Sequence, residues 1–408
     1  MHNPTAQIVQ AEKVPQKQLL EWHVITCEYP PQTGGVSDYT FGLAEGLAAE
    51  GDTVHVWCPP HKGARPDAKG VAAHPEMGEF RPSDLRRVDE QLDQFPAPRR
   101  LLVQWVPHGY GRRSMNFAFC WWLRNRAVKH GDHVEIMLHE PSLPFRAGSL
   151  RQNGVAVAHR LMTLLLLRVP ERVWMSIPAW ERRLRPYALG RSIEFRWLPI
   201  PSNIAVHDDP SGVQEVRRRY VDRDGFLIGH FGTFGPPVIS VLEPILLELA
   251  RDRGRQTILL MGLGSEEYQR ALVQKEPDLG GVVHATGSLT AEDISLHVSA
   301  CDLLIQPYPD GVSSRRTSFM VGLSHGKPVV TTTGELTEAC WEAAGVPMAK
   351  AGEVPAFVAL VRQIRDDEVQ RSRLGQDLRM LYHQRFDAKH VVSTLRSVAI
   401  REQLERAV

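Results

Sequence analysis

The chain has 408 residues, of which 43% are hydrophobic and 23% are charged. That composition is typical of a globular protein, and the length exceeds what one hydrophobic core usually serves, so we expect two domains. The formal net charge of +1 gives no support to binding of nucleic acid or of another polyanion.

The N-terminal residues 1–18 are polar and lack the apolar segment of a secretory signal, so we expect a disordered tail on a cytoplasmic protein. The longest uninterrupted apolar runs, Phe117–Leu123 and Ala356–Val361, are far shorter than the roughly 20 residues that span a membrane. Five widely spaced cysteines argue for reduced thiols, and against a zinc site or a disulfide framework.

Short apolar runs alternate with longer amphipathic stretches from Leu19 to about Leu381, which indicates an α/β protein with parallel sheets. Because the runs are continuously apolar, we expect strands that are buried on both faces. In the first half, the predicted strands are Trp22–Cys27, Thr53–Cys58, Leu101–Trp105, Val134–Leu138, Val173–Ser176 and Phe195–Leu198. In the second half, they are Phe226–Phe231, Thr257–Met261, Val282–Ala285, Leu303–Gln306 and Pro328–Thr332.

The segment Pro199–Gly212 is rich in Pro, Asp and Ser and lacks hydrophobic periodicity, so we interpret it as an interdomain linker. The prediction is an N-terminal doubly wound, Rossmann-like domain over residues 19–198 and a C-terminal one over residues 213–385. A helix over residues 386–408 follows and is a candidate to pack back on the N-terminal domain. Ligands of such sheets bind beyond the carboxyl ends of the strands, so site residues should follow strands.

A pair of glycines follows the first predicted strand, in the segment from Glu28 to Tyr39. Gly34 and Gly35 lack a Cβ, so backbone N–H groups can approach an anion closely, and the helix that begins near Ser37 directs its positive dipole end there. We interpret this loop as a diphosphate cradle or an acceptor-side loop, with Glu28 on the acceptor side. The structural alternative is an ordinary turn with Ser37 as N-cap.

A histidine, His139, follows the predicted strand Val134–Leu138. An imidazole at a strand's carboxyl end can hydrogen-bond a sugar hydroxyl or help to neutralise a leaving phosphate, which makes His139 a candidate catalytic residue. The alternative is a buried histidine that bonds to the backbone. Glu140 could orient His139 or form a local salt bridge. Together with His108, which also follows a strand, it is a further acceptor-side candidate.

A small-residue loop follows the first strand of the second half. Gly232, Thr233 and Gly235 allow close approach of the backbone to a phosphate, so they are candidate contacts of the donor diphosphate. The alternative is a glycine-rich turn without a ligand.

The most informative motif runs from Gln306 to Ser318 and leads into a helix. Backbone N–H groups, the helix dipole and two planar guanidinium groups converge there, and all of them favour a diphosphate. The predicted diphosphate contacts are Gly311, Ser313, Ser314, Arg315 and Arg316. The alternative is that the two arginines form a solvated face.

Two other signals are interpreted as structural. Asp222-Arg-Asp224 matches a metal-binding D-x-D pattern but precedes a strand, which is the wrong strand end, so we predict no metal site. Phe117–Arg126, with Trp121 and Trp122, is interpreted as a core helix. Its basic flanks leave peripheral contact with a membrane open, and they are Arg112, Arg113, Arg124 and Arg126.

These motifs, in this order and at this spacing, resemble those of the family 4 glycosyltransferases, which have the GT-B fold of two Rossmann-like domains facing a central cleft. The resemblance covers about Leu19 to Tyr382. The segments that carry it are Glu28–Tyr39, Leu43–Val56, Gly287–Pro307 and His325–Thr332.

The resemblance implies a metal-independent sugar transfer that retains the anomeric configuration. The donor substrate would be a UDP- or GDP-linked sugar, with no further cofactor, bound mainly by the second domain. Gly34 and Gly35 would approach its diphosphate, and His139 would lie at the reacting sugar. Positive groups would neutralise the leaving phosphates as an oxocarbenium-like sugar separates from them.

The chain departs from the family in its last motif. The family usually carries two glutamates in an E-x7-E arrangement, and counting back from Gly326 places these positions at Ser313 and Val321. Asp310 is the candidate replacement for the first carboxylate. The family's basic pair after the first strand of the second domain is also absent, which leaves Arg315 and Arg316 to compensate.

We therefore predict a glycosyltransferase whose acceptor is a glycan, a glycolipid or a small molecule, as in polysaccharide assembly. One alternative is a non-catalytic nucleotide- or sugar-binding relative that has lost the E-x7-E pair. The other is a nucleotide-sugar epimerase or phosphorylase on the same architecture. The sequence does not identify the nucleotide base and the sugar of the donor, the acceptor or the oligomeric state.

Overall fold

Two parallel sheets with helices on their faces make up the described chain. The computed structural model describes residues 18–64, 66–111, 114–222, 225–252 and 255–407. The strands in these ranges are β1 (Glu21–Ile25), β2 (Thr53–Trp57), β3 (Val71–His74), β4 (Arg100–Trp105), β5 (His133–Leu138), β6 (Arg172–Met175), β7 (Glu194–Trp197), β8 (Leu227–Phe231), β9 (Thr257–Met261), β10 (Val283–Ala285), β11 (Leu303–Gln306), β12 (Val329–Thr333) and β13 (Met348–Lys350).

The helices alternate with the strands along the chain. They are α1 (Gly35–Ala49), α2 (Pro82–Leu92), α3 (Phe117–Lys129), α4 (Leu150–Leu166), α5 (Ala179–Leu184), α6 (Pro210–Tyr220), α7 (Pro236–Leu249), α8 (Ser265–Lys275), α9 (Ala291–Ala300), α10 (Thr317–Ser324), α11 (Ala339–Ala343), α12 (Val354–Asp366), α13 (Glu368–Arg385) and α14 (Ala388–Ala407).

The strand orders are β3-β2-β1-β4-β5-β6-β7 in the first sheet and β10-β9-β8-β11-β12-β13 in the second. Both sheets start at an inner strand and change direction once, between β1 and β4 and between β8 and β11. The carboxyl ends at such a switch point diverge into a crevice, which is where ligands of doubly wound sheets bind. The predicted fold class, two Rossmann-like domains, is confirmed.

All eleven predicted strands are present within two residues of their predicted bounds, and their residues are mostly buried on both faces. The prediction missed β3 and β13. Both are short strands at a sheet edge, β3 has the sequence Val-Ala-Ala-His, and neither contains a continuous run of large apolar residues. The residues of β3 are only partly buried, so this strand does not need large apolar side chains on both faces.

The chain passes between the two sheets twice. Residues 199–209 contain no helix or strand and connect β7 to α6, which begins at Pro210 inside the predicted linker. After α13, the chain returns, and α14 packs against α1 of the first domain. Arg396 on α14 binds Asp52 at 2.8 Å, and Val392 and Leu395 join the core beside β1. The predicted domain bounds stay predictions.

Several sequence-based predictions lie outside the described residues: residues 1–17 of the tail, Arg112, Arg113, and two members of the D-x-D pattern, Arg223 and Asp224. All five cysteines are free thiols. Among the helices of the described ranges, none is both long enough and apolar enough to cross a bilayer.

Candidate functional site

A cleft lies where the carboxyl ends of β5 and β11 face each other. Glu140, two residues after β5, meets Arg315, which lies between β11 and α10: Arg315 Nη1 donates to Glu140 Oε1 at 3.3 Å. A cavity of about 680 Å³ adjoins this contact, lined by α4 and α5 on one side and by Asp310 and Glu335 on the other. Its volume is in the usual range of small-molecule sites.

His139 directly follows β5, and side chains of the first domain hold it in place. Its Nε2 lies 2.9 Å from the carboxamide of Gln104 on β4. The ring of Tyr39 packs against it edge-to-face at 5.0 Å. Burial lowers the pKa of His139 to about 3, so the imidazole is neutral near pH 7.

Glu140 does not contact His139 through its side chain but lies between His108 and Arg315. Its carboxylate is 3.9 Å from Nδ1 of His108 and 3.3 Å from Arg315. The side chains of His108 and Glu140 are 51% and 43% exposed, so both line the open cleft. Of the two roles considered for Glu140, the local salt bridge is the one that its contacts support.

The Gly34–Gly35 loop is occupied by an internal carboxylate. The backbone N–H groups of Val36 and Ser37 donate to Oε1 of Glu28 at 2.9 and 3.0 Å. A Cβ on Gly34 would lie 2.3 Å from that oxygen, whereas a Cβ on Gly35 would meet nothing within 4 Å. Glu28 therefore supplies the anion at the N-terminus of α1, and Gly34 makes room for it.

Asp310 holds the two candidate diphosphate arginines. Arg315 Nη2 donates to Asp310 Oδ2 at 2.7 Å, and Arg316 Nη2 donates to Asp310 Oδ1. Arg316 also stacks over the ring of Tyr308 at 4.7 Å, and Arg315 lies over Trp180 of α5 at 5.7 Å. Burial and the neighbouring Arg316 lower the pKa of Arg315. The arginines thus face the cleft and not open solvent.

Ser314 joins the two domains. Its N–H donates to Glu338 at 2.9 Å, and its single hydroxyl proton is shared between Glu338 Oε1 at 2.5 Å and the carbonyl oxygen of Ser176 at 2.9 Å. Trp197 Nε1 in turn donates to Ser314 Oγ at 3.0 Å. Burial raises the pKa of Glu338. Ser314 therefore already has hydrogen-bond partners within the protein. Its contact with a diphosphate stays a prediction.

The positions that match the family's two glutamates are buried and carry no charge. Ser313 and Val321 are both fully buried, and Val321 belongs to the core of the second domain. Gly311 has a φ of +85°, and a Cβ there would lie 2.2 Å from Oγ1 of Thr337, so tight packing against the loop after β12 requires glycine.

Three residues in and just after the loop that follows β8 have no backbone N–H available to a phosphate. Gly232 donates its N–H to the carbonyl oxygen of Met261 at 3.1 Å, and Gly235 is the N-cap of α7. The first two residues of α7 are Pro236 and Pro237, which have no backbone N–H. Thr233 is exposed and keeps its hydroxyl available. Gly232, Thr233 and Gly235 stay predicted contacts of the donor diphosphate.

One group of side chains in the described ranges is close enough to share a metal ion: His133, Glu135 and Glu402. It lies at the amino end of β5, the end of the sheet opposite the cleft. Arg172 binds both glutamates there, and Arg100 lies 2.8 Å from Glu402. The arginines neutralise the charge that a cation would need, so the group does not suit a metal.

Sequence reasoning missed three residues that shape this site. Gln104 lies inside a strand, and Glu338 lies in a loop 24 residues after its partner Ser314. Trp180, beneath Arg315, donates its Nε1–H to the carbonyl oxygen of His139 at 3.2 Å. A polar Gln inside the apolar strand Arg100–Trp105 was the available signal, because a buried carboxamide needs a partner.

No family model matches this sequence, and no curated protein matches it. Solved structures do resemble it. HepE from Anabaena, in complex with UDP and glucose, has a TM-score of 0.67 and 16% identity, over 94% of this chain and 100% of HepE. Sucrose-phosphate synthase from Thermosynechococcus elongatus has a TM-score of 0.73 and 14% identity, over 96% of this chain and 100% of the synthase.

The catalytic domain of starch synthase IV from Arabidopsis thaliana, bound to ADP and acarbose, has a TM-score of 0.65 and 13% identity, over 94% of this chain and 99% of that domain. Likeness at such low identity concerns the fold, and it extends over nearly the full length of both chains. The chain therefore has the GT-B fold, with two Rossmann-like parallel α/β domains that face one cleft.

Proposed function

We propose that this protein is a metal-independent, retaining glycosyltransferase of the family 4 type, which transfers a sugar from a nucleoside-diphosphate donor to an acceptor. The observation that carries the proposal is the arrangement across the cleft. Arg315 and Arg316 stand at the N-terminus of α10, and His139 and Glu140 stand opposite them, with a 3.3 Å contact between Glu140 and Arg315.

The second domain is suited to hold the donor diphosphate. Arg315 and Arg316 together carry more N–H donors than Asp310 can accept, and the Nε of each is buried without a hydrogen-bond partner among the described residues. A diphosphate has several acceptor oxygens and more charge than one carboxylate, so it can compete with Asp310 for the guanidinium groups. HepE has been solved with UDP, which favours a UDP-linked sugar over a GDP-linked one.

The transfer breaks the bond between C1 of the sugar and the diphosphate and forms a bond from the acceptor oxygen to C1. The departing diphosphate gains charge, which Arg315 and Arg316 would stabilise. His139, being neutral, cannot add charge there, so its pKa of about 3 favours the other role, a hydrogen bond to a hydroxyl of the donor sugar.

The carboxylates of the cleft support retention without a metal. Asp310 and Glu140 bind Arg315, and Glu335 binds Arg183 at 2.9 Å, so each carboxylate already has a cationic partner. An inverting transfer needs a free base for the acceptor. In a retaining transfer, the departing diphosphate can take the acceptor proton itself. We place the reaction in the cytoplasm, which agrees with free thiols at all five cysteines.

A non-catalytic nucleotide-binding protein is the competing candidate. It is favoured by Ser313 and Val321, which replace the two family glutamates with uncharged, buried side chains. The two candidates differ in one measurable reaction, because an active transferase hydrolyses its donor slowly when no acceptor is present. The epimerase alternative has no comparable observation in its favour.

The test begins with a thermal-shift screen of UDP, GDP, ADP and dTDP, since a ligand of the folded state raises the melting temperature. Release of nucleoside diphosphate from the matching donor sugars is then measured in excess EDTA. We expect stabilisation by one nucleotide and EDTA-resistant hydrolysis. Binding without hydrolysis would favour the non-catalytic protein, and activity that only magnesium or manganese restores would contradict metal independence.

A further inference from the structure

Positive charge is concentrated in one segment of this nearly neutral chain. Between residues 141 and 191 there are nine arginines, no lysine and two acidic residues, Glu171 and Glu181, whereas the whole chain has a net charge of +1. The segment contains α4 and α5. The first domain therefore has a local excess of positive charge that the overall balance conceals, although Arg172 within it is buried and paired with Glu135 and Glu402.

Helix α4 carries an apolar stripe on its outward face. Leu150, Val157 and Leu161 are 91%, 48% and 48% exposed, and their spacing of seven and four residues places them on one side of the helix. The opposite side of α4 is buried in the core of the first domain through Met162 and Leu166. The outward leucines and valine have no structural role in that core.

Helix α3 packs beside α4 and repeats the pattern. Phe117, Trp121 and Val128 are 41%, 54% and 67% exposed at a spacing of four and seven residues, and Arg124 stacks over Trp121 at 5.1 Å. The buried sides of both helices enter the same core, so their exposed sides point away from the sheet together. We call these six exposed side chains and Arg124 the α3–α4 patch.

Arginines stand at both ends of the α4 stripe. Arg146 and Arg151 lie at the start of the helix and Arg168 just after its end, and all three are exposed. Across the described ranges, no carboxylate forms an ion pair with any of them. In contrast, Arg126, which sequence analysis grouped with the basic flanks, is fully buried and binds Asp132 at 2.6 Å.

We propose that the α3–α4 patch docks on the surface of an anionic lipid bilayer. Exposed apolar side chains flanked by unpaired arginines match such a surface, where the apolar groups enter the acyl boundary and the guanidinium groups meet the headgroups. A nucleic acid would pair with the arginines but leave the stripe of Leu150, Val157 and Leu161 in water.

The patch also adjoins the cleft, and this part rests on the proposed function. Phe145 lines the cavity, is 56% exposed, and stacks with Arg160 of α4 at 4.0 Å. The loop that carries it is tied to α4, because Arg146 N–H donates to Asn153 at 2.8 Å. Docking through the patch would bring α4, and with it this wall of the cavity, close to the bilayer, so the acceptor would be a lipid-linked one.

Vesicle flotation tests the docking without any need for sugar transfer, so it can fail or succeed independently of the proposed activity. The full chain is mixed with vesicles of phosphatidylcholine alone or with 30% phosphatidylglycerol. The variants are Leu150→Ser/Leu161→Ser and Arg146→Glu/Arg151→Glu. Controls of matched exposure and charge elsewhere are Val369→Ser/Leu404→Ser and Arg218→Glu/Arg270→Glu.

We expect binding to the anionic vesicles only, its reversal by 0.5 M salt as charges are screened, and a loss of about 30-fold in the arginine variant. The serine variant should also lose binding, and both controls should float like the wild type. Equal flotation with the two vesicle types, no flotation with either, or patch variants that behave like their controls would overturn the proposal.

Discussion

The two domains stabilise a carboxylate near the carboxyl ends of their strands in different ways. At the first domain, the carboxylate of Glu28 accepts two backbone N–H groups at the start of α1. At the second, the carboxylate of Asp310 accepts from Arg315 and Arg316. Glu28 thus accepts from the backbone N–H groups that are directed at it. Asp310 accepts from two guanidinium groups, and each of these has further N–H donors that no described residue engages.

This difference shows that a glycine-rich loop before a helix is not by itself a phosphate site. Gly34 is explained without a ligand, because its missing Cβ leaves space for Glu28. The segment 310–316 retains unpartnered Nε groups within the described structure, which is why we propose it as the diphosphate site.

The largest effect should come from the arginines of the second domain. Each of Arg315→Ala and Arg316→Ala should weaken nucleoside diphosphate binding about ten- to a hundredfold, because a charge-assisted hydrogen bond contributes roughly 1.5–3 kcal/mol. Lysine should rescue poorly, since it lacks the planar fork. Calorimetric titration of folded variants checks this. A double variant with the affinity of the parent would move the diphosphate site elsewhere.

Gly34→Ala should destabilise the fold by about 1–3 kcal/mol, because the new Cβ displaces Glu28 and leaves two N–H groups without their acceptor. Gly35→Ala is the matched control, since a Cβ there meets nothing within 4 Å. The free energy of unfolding in urea measures both. Equal stability of the two variants would mean that Glu28 does not depend on the space at Gly34.

Replacing the carboxylates of Asp310 and Glu28 one at a time should have different effects on nucleoside diphosphate affinity. Asp310→Asn should raise nucleoside diphosphate affinity by about fivefold, because a competing charge is lost from the arginines. Glu28→Gln should change the affinity less than twofold. The same titration is the measurement, and a larger gain from Glu28→Gln would assign the diphosphate to the first domain.

The smallest effect concerns His139, whose pKa of about 3 lies below its ordinary value of 6.5. Between these values the unfolded chain binds more protons than the folded one, so His139 reduces the free energy of unfolding as the pH falls below 6.5. His139→Gln should therefore lose less stability than the wild type between pH 7 and 5.5, by up to about 1 kcal/mol. An unchanged slope would mean that His139 titrates normally.

Sequence reasoning reached the strands and the strand-end residues because these depend on local patterns. The apolar run before His139 predicts that this residue follows a strand and lies at the cleft. The Gly- and Ser-rich loop before α10 predicts the same for Arg315. The partners of these groups could not be predicted. Gln104 lies 35 residues from His139, and Glu140 lies 175 residues from Arg315, so only the assembled fold brings them together.

The edge strands and the arginine pair illustrate the same limit. β13 follows a proline and is three residues long, too short for a periodic pattern. Two adjacent arginines predict a phosphate contact or a solvated face, and the sequence does not reveal that Asp310, five and six residues earlier, engages both.

The return of α14 to the first domain has a mechanical consequence. The chain crosses between the domains at 199–209 and again after α13, and the starts of the two crossings lie close together, because the ring of Trp197 at the end of β7 is 6.1 Å from the ring of Phe386 just after α13. Because two neighbouring chain segments connect the domains, the relative motion that distorts the chain least is a rotation about the line through these two segments. The ion pair of Arg396 with Asp52 anchors the second attachment, so opening and closing of the cleft would share one fixed axis.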